Sequence, residues 1–160
     1  MPVARIDEVR SEVTALAQSA PSAQELMQRM VKLLHERMLK YNWVGFYLLE
    51  PGADPPMLVL GAFEGAVTPH TRIPLDQGIC GAAASSGHTV VVDDVRADPR
   101  YLACSLETKS EIVVPIFANG KVVGELDIDS HFSAAFTPEH QDLVQHCAAL
   151  VGKKLETSGH

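Results

Sequence analysis

Two cysteines and a row of alternating carboxylates are the groups in this chain best able to do chemistry. Cys80 and Cys104 lie in polar, irregular stretches, and Glu125, Asp127 and Asp129 alternate along a predicted strand. A thiol can be oxidised and reduced again, while carboxylates can hold a cationic group or transfer a proton. The sequence therefore predicts redox chemistry beside an acidic surface.

A metal centre explains these residues less well. Neither cysteine belongs to a CxxC pair, and the seven histidines form no HxxxH or HExxH pattern, whereas structural zinc sites usually contain such short ligand pairs. A zinc site built from His70, Cys80 and Cys104 is conceivable, but no closely spaced pair anchors it. We therefore expect no bound metal.

The cysteines differ in their predicted surroundings. Cys80 falls at the start of a short predicted helix, where the helix dipole would lower the pKa of its thiol, although a small packed residue is an equally good interpretation. Cys104 lies on a loop between Pro99 and Lys109 and is either a mobile redox thiol or an incidental exposed one. Cys147 falls on the apolar face of a predicted helix and is expected in the core.

The acidic strand also leaves two interpretations open. Because strand side chains alternate between faces, Glu125, Asp127 and Asp129 share one face, and Leu126 and Ile128 share the other. Carboxylates on one face repel each other unless they are solvated or offset by a cation. Periodicity alone favours an exposed face at a sheet edge over a pocket for an ammonium group or a metal.

The pattern of elements predicts an α+β fold. Apolar spacing predicts helices over about residues 4–18 and 22–39 and a closing helix over about 137–155; residues 64–78 are expected to be irregular. The predicted sheet is antiparallel, has five or six strands, and carries the N- and C-terminal helices on one face. Strands are predicted at Trp43–Leu49, Met57–Phe63, Thr89–Val92, Glu111–Phe117 and Lys121–Asp129.

Length and composition exclude several classes of protein. A chain of 160 residues with 46% apolar residues is expected to form one domain over residues 1–160. A net charge of −7 argues against a nucleic-acid partner. No apolar run is long enough to cross a membrane. Without an export signal, the three cysteines are expected to be reduced in a cytoplasm.

Five sequence blocks occur in an order that is specific as a combination. They are Asn42–Leu48, Gln77–Ala83, Leu102–Cys104, Lys109–Ile116 and Leu126–Ser130. Through them the chain resembles the free methionine-(R)-sulfoxide reductases, which are single GAF domains used as enzymes. The resemblance runs from about Trp43 to Phe136, and the helices before and after this region also fit a GAF domain.

The resemblance implies roles for the redox and acid groups in reducing free L-methionine (R)-S-oxide. Cys104 matches the cysteine that attacks the sulfoxide sulfur, and Cys80 matches a second cysteine that acts in catalysis or resolution. Glu111, Asp127 and Asp129 match the acidic residues that hold the substrate amino group and help to protonate the sulfoxide oxygen.

The remaining implications concern the apolar wall and the partners. Trp43 and Tyr47 match the aromatic wall for the S-methyl end, whereas Glu125 matches no family signature. The family implies a sulfenic acid, an intramolecular disulfide and a thioredoxin-type dithiol reductant, with no bound cofactor. A homodimer is also implied.

One position departs from the family pattern. The family commonly has another cysteine ten positions before Cys80, and this chain has His70 there. Either Cys80 resolves the sulfenic acid directly, or an external thiol does, or the activity is lost. In the last case the protein would be a small-molecule-binding or sensor module that keeps the pocket.

Overall fold

The computed structural model describes residues 5–75, 77–101 and 107–157, so the predicted nucleophile Cys104 lies outside the described residues. Local sequence signals account for several of the element boundaries. The helices are α1 (Ile6–Ser19), α2 (Ala23–Arg37), α3 (Gly78–Ser86) and α4 (Pro138–Thr157), with a short 3-10 helix at Val95–Ala97. The strands are β1 (Trp43–Leu49), β2 (Met57–Glu64), β3 (Arg72–Pro74), β4 (Val90–Val92), β5 (Ser110–Ala118) and β6 (Lys121–Ser130).

Capping and turn chemistry account for the start of α2 and for the connection between β5 and β6. The Ser22 side chain accepts a hydrogen bond from the Glu25 backbone N–H at 3.1 Å and begins α2. Asn119 and Gly120 have φ angles of 53° and 78° and join β5 to β6. Positive φ at both residues is what a tight hairpin turn requires.

The sheet is antiparallel with the strand order β3-β2-β1-β6-β5-β4. β6 therefore lies in the middle of the sheet, between β1 and β5. The interpretation of β6 as a sheet edge was wrong. Its neighbour β1 is far away in sequence, and the local hairpin pattern shows only the pairing with β5.

The predicted placement of the terminal helices is confirmed. α1, α2 and α4 cover one face of the sheet, where they share a continuous buried cluster with side chains of β1, β5 and β6. Cys147 is fully buried in this cluster, as predicted. A second cluster lies on the opposite face and contains the apolar side of α3. The two faces of the sheet therefore have separate apolar packing.

One element was missed. Residues 64–78 were expected to be irregular, but β3 pairs with β2 through Met57 opposite Pro74 and Val59 opposite Arg72. A three-residue strand that ends in proline is too short for a period-two pattern and lacks one backbone donor. Its existence depends on the pairing with β2, and local propensity does not predict it.

No helix among the described residues is long and apolar enough to cross a membrane.

Close packing of α4 on β5 predicts a sensitive position at Gly152. A Cβ atom built there would fall well inside van der Waals distance of the Phe117 carbonyl oxygen. We expect Gly152→Ala to lower the free energy of unfolding by about 1–3 kcal/mol, because backbone must move to relieve the overlap. Urea denaturation measures this change.

The matched control is Gly61→Ala. A Cβ at this exposed strand position would make an ordinary contact of 3.6 Å with the Phe46 carbonyl oxygen. Its unfolding free energy should stay unchanged or rise slightly. Equal effects of the two substitutions would show that α4 does not pack on β5 as described.

Candidate functional site

The register of the three central strands assembles an acidic surface on one face of the sheet. Asp129 of β6 lies opposite Glu111 of β5 and opposite Trp43 of β1. Directly opposed residues of antiparallel strands share a face, and so do alternate residues along one strand. Glu111 therefore joins Asp127, Asp129 and Glu125, although it lies 14 residues or more from them in the sequence. We call these four residues the acidic cluster.

The acidic cluster is buried. Exposure is 4% for Glu111, 0% for Glu125 and 2% for both Asp127 and Asp129. The exposed face favoured by periodicity was therefore wrong, because α3 and its neighbouring segments cover this side of the sheet. Among the described residues, no buried side chain is a lysine or arginine. The cluster thus lacks a buried protein cation.

Cys80 faces the acidic cluster from the first turn of α3, as predicted. Its thiol donates a hydrogen bond to Asp127, with 3.3 Å between Sγ and Oδ2. Burial raises the pKa of Cys80 well above its usual value, and the charges of Asp127, Glu125 and Glu111 raise it further. Of the two interpretations left open, lowering by the helix dipole was wrong, because burial and nearby negative charge outweigh the helix terminus, and Cys80 is a packed residue of the second apolar cluster.

Burial also raises the pKa values of the carboxyls in the acidic cluster. Burial raises the pKa of Glu111 well above its ordinary value, and the charges of Asp127 and Asp129 and hydrogen bonds to both add to the shift. Burial also raises the pKa of Asp127, but a hydrogen bond from Glu111 opposes this effect. Burial, followed by the charge of Asp127, raises the pKa of Asp129. The surroundings of Glu111 thus favour its protonated form.

An aromatic wall adjoins the acidic cluster. The Trp43 ring lies against Gly45, where a Cβ would collide with the indole. The indole N–H donates to the Ala66 carbonyl at 3.0 Å, and the ring stacks on Phe63 with centroids 5.8 Å apart. The Trp43 and Tyr47 rings are 6.3 Å apart. Glycine at position 45 and the Ala66 carbonyl therefore fix the orientation of the wall.

Tyr47 connects the wall to the segment that precedes β3. Its hydroxyl donates a hydrogen bond of 2.7 Å to the His70 carbonyl oxygen. The backbone N–H of His70 donates in turn to Thr68 Oγ1 at 3.1 Å. The position at which the family carries a cysteine is thus tied to the aromatic wall through its backbone.

Two cavities adjoin the acidic cluster. One has a volume of about 20 Å³ and is lined by residues that include Tyr47, His70, Cys80, Glu111 and Asp127. About 10–15 Å³ suffices for one water molecule, so this cavity accommodates little more than a single small ligand atom. The other has a volume of about 200 Å³ and is lined by Asn42, Trp43, Ala66, Thr68, Glu107, Thr108, Asp129 and His131.

A larger surface groove lies elsewhere. It has a volume of about 740 Å³, and Phe117, Gln145 and Lys153 are among its lining residues. None of the acidic cluster lines it. Size alone would select this groove, but the buried acids and the thiol identify the smaller cavities as the candidate site.

The structure brings together six of the seven site residues predicted from sequence. They lie on one face of the sheet or on α3 above it, while Cys104 lies outside the described residues. The six are Trp43, Tyr47, Cys80, Glu111, Asp127 and Asp129.

Glu125 is the residue that sequence reasoning left out. It is fully buried, and neither carboxyl oxygen has a hydrogen-bond partner among the described residues. The neighbouring Cys80 thiol donates to Asp127, and burial raises the pKa of Glu125 well above its ordinary value. The two-residue spacing from Asp127 was the signal that placed Glu125 on this face, and only the absence of a family match removed it.

Comparisons with known proteins identify the family of the chain. The GAF domain family profile matches residues 22–155. The chain is 37% identical over 128 residues to the free methionine-R-sulfoxide reductase of Escherichia coli, an alignment covering 80% of this chain and 74% of the relative. It is 41% identical over 113 residues to the Saccharomyces cerevisiae protein of the same name, covering 70% of this chain and 62% of the relative.

A solved structure is similar over nearly the whole chain. The free methionine-R-sulfoxide reductase of Neisseria meningitidis, solved in complex with its substrate, superposes with a TM-score of 0.88 at 36% identity. The match covers 96% of this chain and 89% of that protein.

The unpartnered carboxyl of Glu125 predicts a stabilising substitution. Burying a polar group without a hydrogen bond is unfavourable, and an apolar side chain of similar size removes that cost. We expect Glu125→Leu to raise the free energy of unfolding by about 1–3 kcal/mol at neutral pH, measured by urea denaturation. The exposed control Glu36→Gln should change it by less than about 0.5 kcal/mol. A large loss of stability in Glu125→Leu would mean that the carboxyl makes a necessary interaction.

Proposed function

The chain belongs to the GAF domain family and, within it, to the free methionine-R-sulfoxide reductases, and we propose that it reduces free L-methionine (R)-S-oxide to L-methionine. The observation that carries this proposal is a buried acidic cluster without a buried protein cation, placed beside an aromatic wall. Free methionine sulfoxide fits both features, since its ammonium group complements the acidic cluster and its S-methyl group complements the aromatic wall.

Two interactions are proposed to bind the substrate. Asp127 and Asp129 are assigned to the substrate ammonium, which compensates part of their buried charge. Trp43 and Tyr47 are assigned to the S-methyl end, which gains from leaving water against aromatic surface. A substrate that lacks a free amino group would leave the acids without a cation, so the proposal requires the free amino acid.

Glu111 is assigned as the proton donor to the sulfoxide oxygen. Its raised pKa supports this role, because a general acid must carry a proton at the pH of the reaction. The neighbouring Asp127 and Asp129 are the source of part of that shift. In this proposal one set of carboxyls thus both binds the ammonium group and keeps Glu111 protonated.

The redox steps balance with two protein thiols. Cys104 attacks the sulfoxide sulfur and forms a transient bond to it. That bond and the substrate S–O bond then break as the oxygen passes to the Cys104 sulfur, and the products are methionine and a Cys104 sulfenic acid. The Cys80 thiol then attacks that sulfenic acid, forming a Cys80–Cys104 disulfide and releasing the oxygen as water. The two thiols supply the two electrons. An external dithiol of the thioredoxin type reduces the disulfide.

Cys80 is assigned as the resolving thiol because His70 cannot form a disulfide. Asp127 Oδ2 lies 3.3 Å from Sγ and is placed to accept the thiol proton. Cys80 also lines the small cavity together with Glu111 and Asp127, which supports a position beside the reacting sulfur. We propose that the enzyme works as a cytoplasmic homodimer and needs no bound cofactor.

A small-molecule-binding or sensor role is the second candidate. The observation that favours it is His70 in place of the family's first cysteine. A binding module would keep the acidic cluster and the aromatic wall and would not need a redox cycle.

Single-cysteine variants test the assignment. With thioredoxin, thioredoxin reductase and NADPH, we expect turnover of the free R epimer but not of the S epimer. Cys104→Ser should abolish turnover while substrate binding, measured by calorimetry, persists. Cys80→Ser should allow one turnover per chain and then stop, because the sulfenic acid has no internal thiol to resolve it.

The control is Cys147→Ala, since Cys147 lies in the core on the opposite face of the sheet. Its turnover should stay near the wild-type value. Binding of the R epimer without any turnover by the wild-type protein would reject the enzyme and support the sensor.

The role of the acids predicts a change in substrate affinity. Asp129→Asn keeps the shape of the side chain but removes a negative charge from the proposed ammonium site. We expect KM to rise by a factor of about ten or more, corresponding to a loss of at least about 1.4 kcal/mol of binding. Steady-state kinetics against exposed Asp142→Asn measures this, and an unchanged KM would contradict the assignment of Asp129.

A further inference from the structure

The thiol and two carboxyls of the candidate site are close enough to share one metal ion. The Cys80 sulfur and one oxygen each from Glu111 and Asp127 lie within 4.8 Å of one another, and all three residues are buried. From this juxtaposition we propose that Cys80, Glu111 and Asp127 form a binding site for one zinc ion, with a fourth coordination position left to water.

The distances suit a small tetrahedral ion. With Zn–S near 2.3 Å and Zn–O near 2.0 Å, the sulfur and an oxygen of a tetrahedral site lie about 3.5 Å apart. The Cys80 sulfur and Asp127 Oδ2 are already 3.3 Å apart. The third ligand atom, an oxygen of Glu111, lies within 4.8 Å of the other two.

A separate observation points to a missing ligand. Asp127 Oδ1 is buried and has no hydrogen-bond partner among the described residues, and the same is true of Asp129 Oδ1. Asp127 lines the cavity of about 20 Å³, together with Cys80, Glu111 and His70. Buried carboxylate oxygens without donors are groups that a cation stabilises. The cavity has room for an ion with at most one water molecule.

Charge and donor chemistry select the type of ion. The buried charged residues among the described part of the chain are all acidic, so a divalent cation offsets more of their charge than a monovalent one. A sulfur ligand beside two carboxylates favours zinc over magnesium or calcium, which prefer oxygen alone. Binding breaks the Cys80 S–H bond, forms a Zn–S bond and releases the proton to solvent.

The proposed zinc site differs from the expectation, drawn from the sequence, that no metal is bound. The sequence offered His70, Cys80 and Cys104 as one ligand set and the carboxylates of the acidic strand as another, with no short ligand pair in either. The three proposed ligands come from α3, β5 and β6. These elements are too far apart in the sequence for the ligands to form a short sequence motif. A zinc-bound Cys80 sulfur cannot attack a sulfenic acid, so zinc would inhibit the reductase. Only this inhibition rests on the proposed function.

The test uses the reduced full-length chain with zinc and with cobalt(II) as a spectroscopic substitute. Competition with a chromophoric zinc chelator should show one equivalent bound. Cobalt(II) should give a thiolate-to-metal charge-transfer band. Cys80→Ser should abolish that band and weaken zinc affinity by a factor of about ten or more, and Asp127→Asn should weaken it similarly.

The controls are Cys147→Ala and Asp142→Asn, which change a thiol and a carboxylate outside the site and should keep the wild-type affinity. Circular dichroism should show that each variant is folded. A charge-transfer band or zinc affinity that is unchanged in Cys80→Ser would overturn the proposal.

Metal binding and sulfoxide reduction can fail independently. Turnover is measured in chelator-treated buffer, and metal binding is measured without substrate. Zinc binding without turnover would reject the reductase and leave the metal site standing, whereas turnover without zinc binding would do the reverse.

Discussion

Four acidic side chains are buried although no lysine or arginine is buried in the described part of the chain, and the rest of the site depends on this constraint. An unpaired buried charge costs several kcal/mol, and a domain has only about 5–15 kcal/mol of net stability. The acidic cluster therefore cannot be fully ionised in the ligand-free protein. Protons must neutralise it, or a cationic ligand must. Neutralisation by protons agrees with the raised pKa values of four carboxyls, those of Glu111, Asp127, Asp129 and Glu125.

One face of β6 packs in the main apolar core, and the other face carries the carboxyls of the candidate site. Leu126 and Ile128 pack into the cluster shared with α1, α2 and α4, while the intervening Asp127 faces α3. A slip of one residue in the register would send the carboxyls into the main core and the apolar residues into the site. The tight turn at Asn119 and Gly120 and the apolar packing on the helical face together hold the register that the site requires.

Two residues outside the family signature lie near Cys80. His70 lines the small cavity with Cys80, and the charge of Glu125 acts on the Cys80 thiol. His70 removes a possible disulfide partner, while Glu125 adds a buried acid that matches no family signature. Both residues thus act on the environment of this thiol, whether its task is to resolve a sulfenic acid or to bind a cation.

Local chemistry in the sequence determined most of the elements, though not β3, because caps, turns and apolar spacing act over a few residues. The helices α2 and α4, the β5–β6 hairpin and the shared face of Asp127 and Asp129 all follow from such signals. The resemblance carried by five sequence blocks added the family and most of the site residues.

Only the tertiary structure decided that the acidic strand is central and buried. Its pairing with β1 and its cover by α3 join segments that are distant in sequence, and loop closure over such distances leaves no local pattern. The same long-range packing reversed the expected pKa shift of Cys80, since burial among carboxyls outweighs the helix dipole. Sequence spacing thus identified the carboxyls and the thiol of the candidate site, and tertiary packing determined the direction in which their pKa values shift.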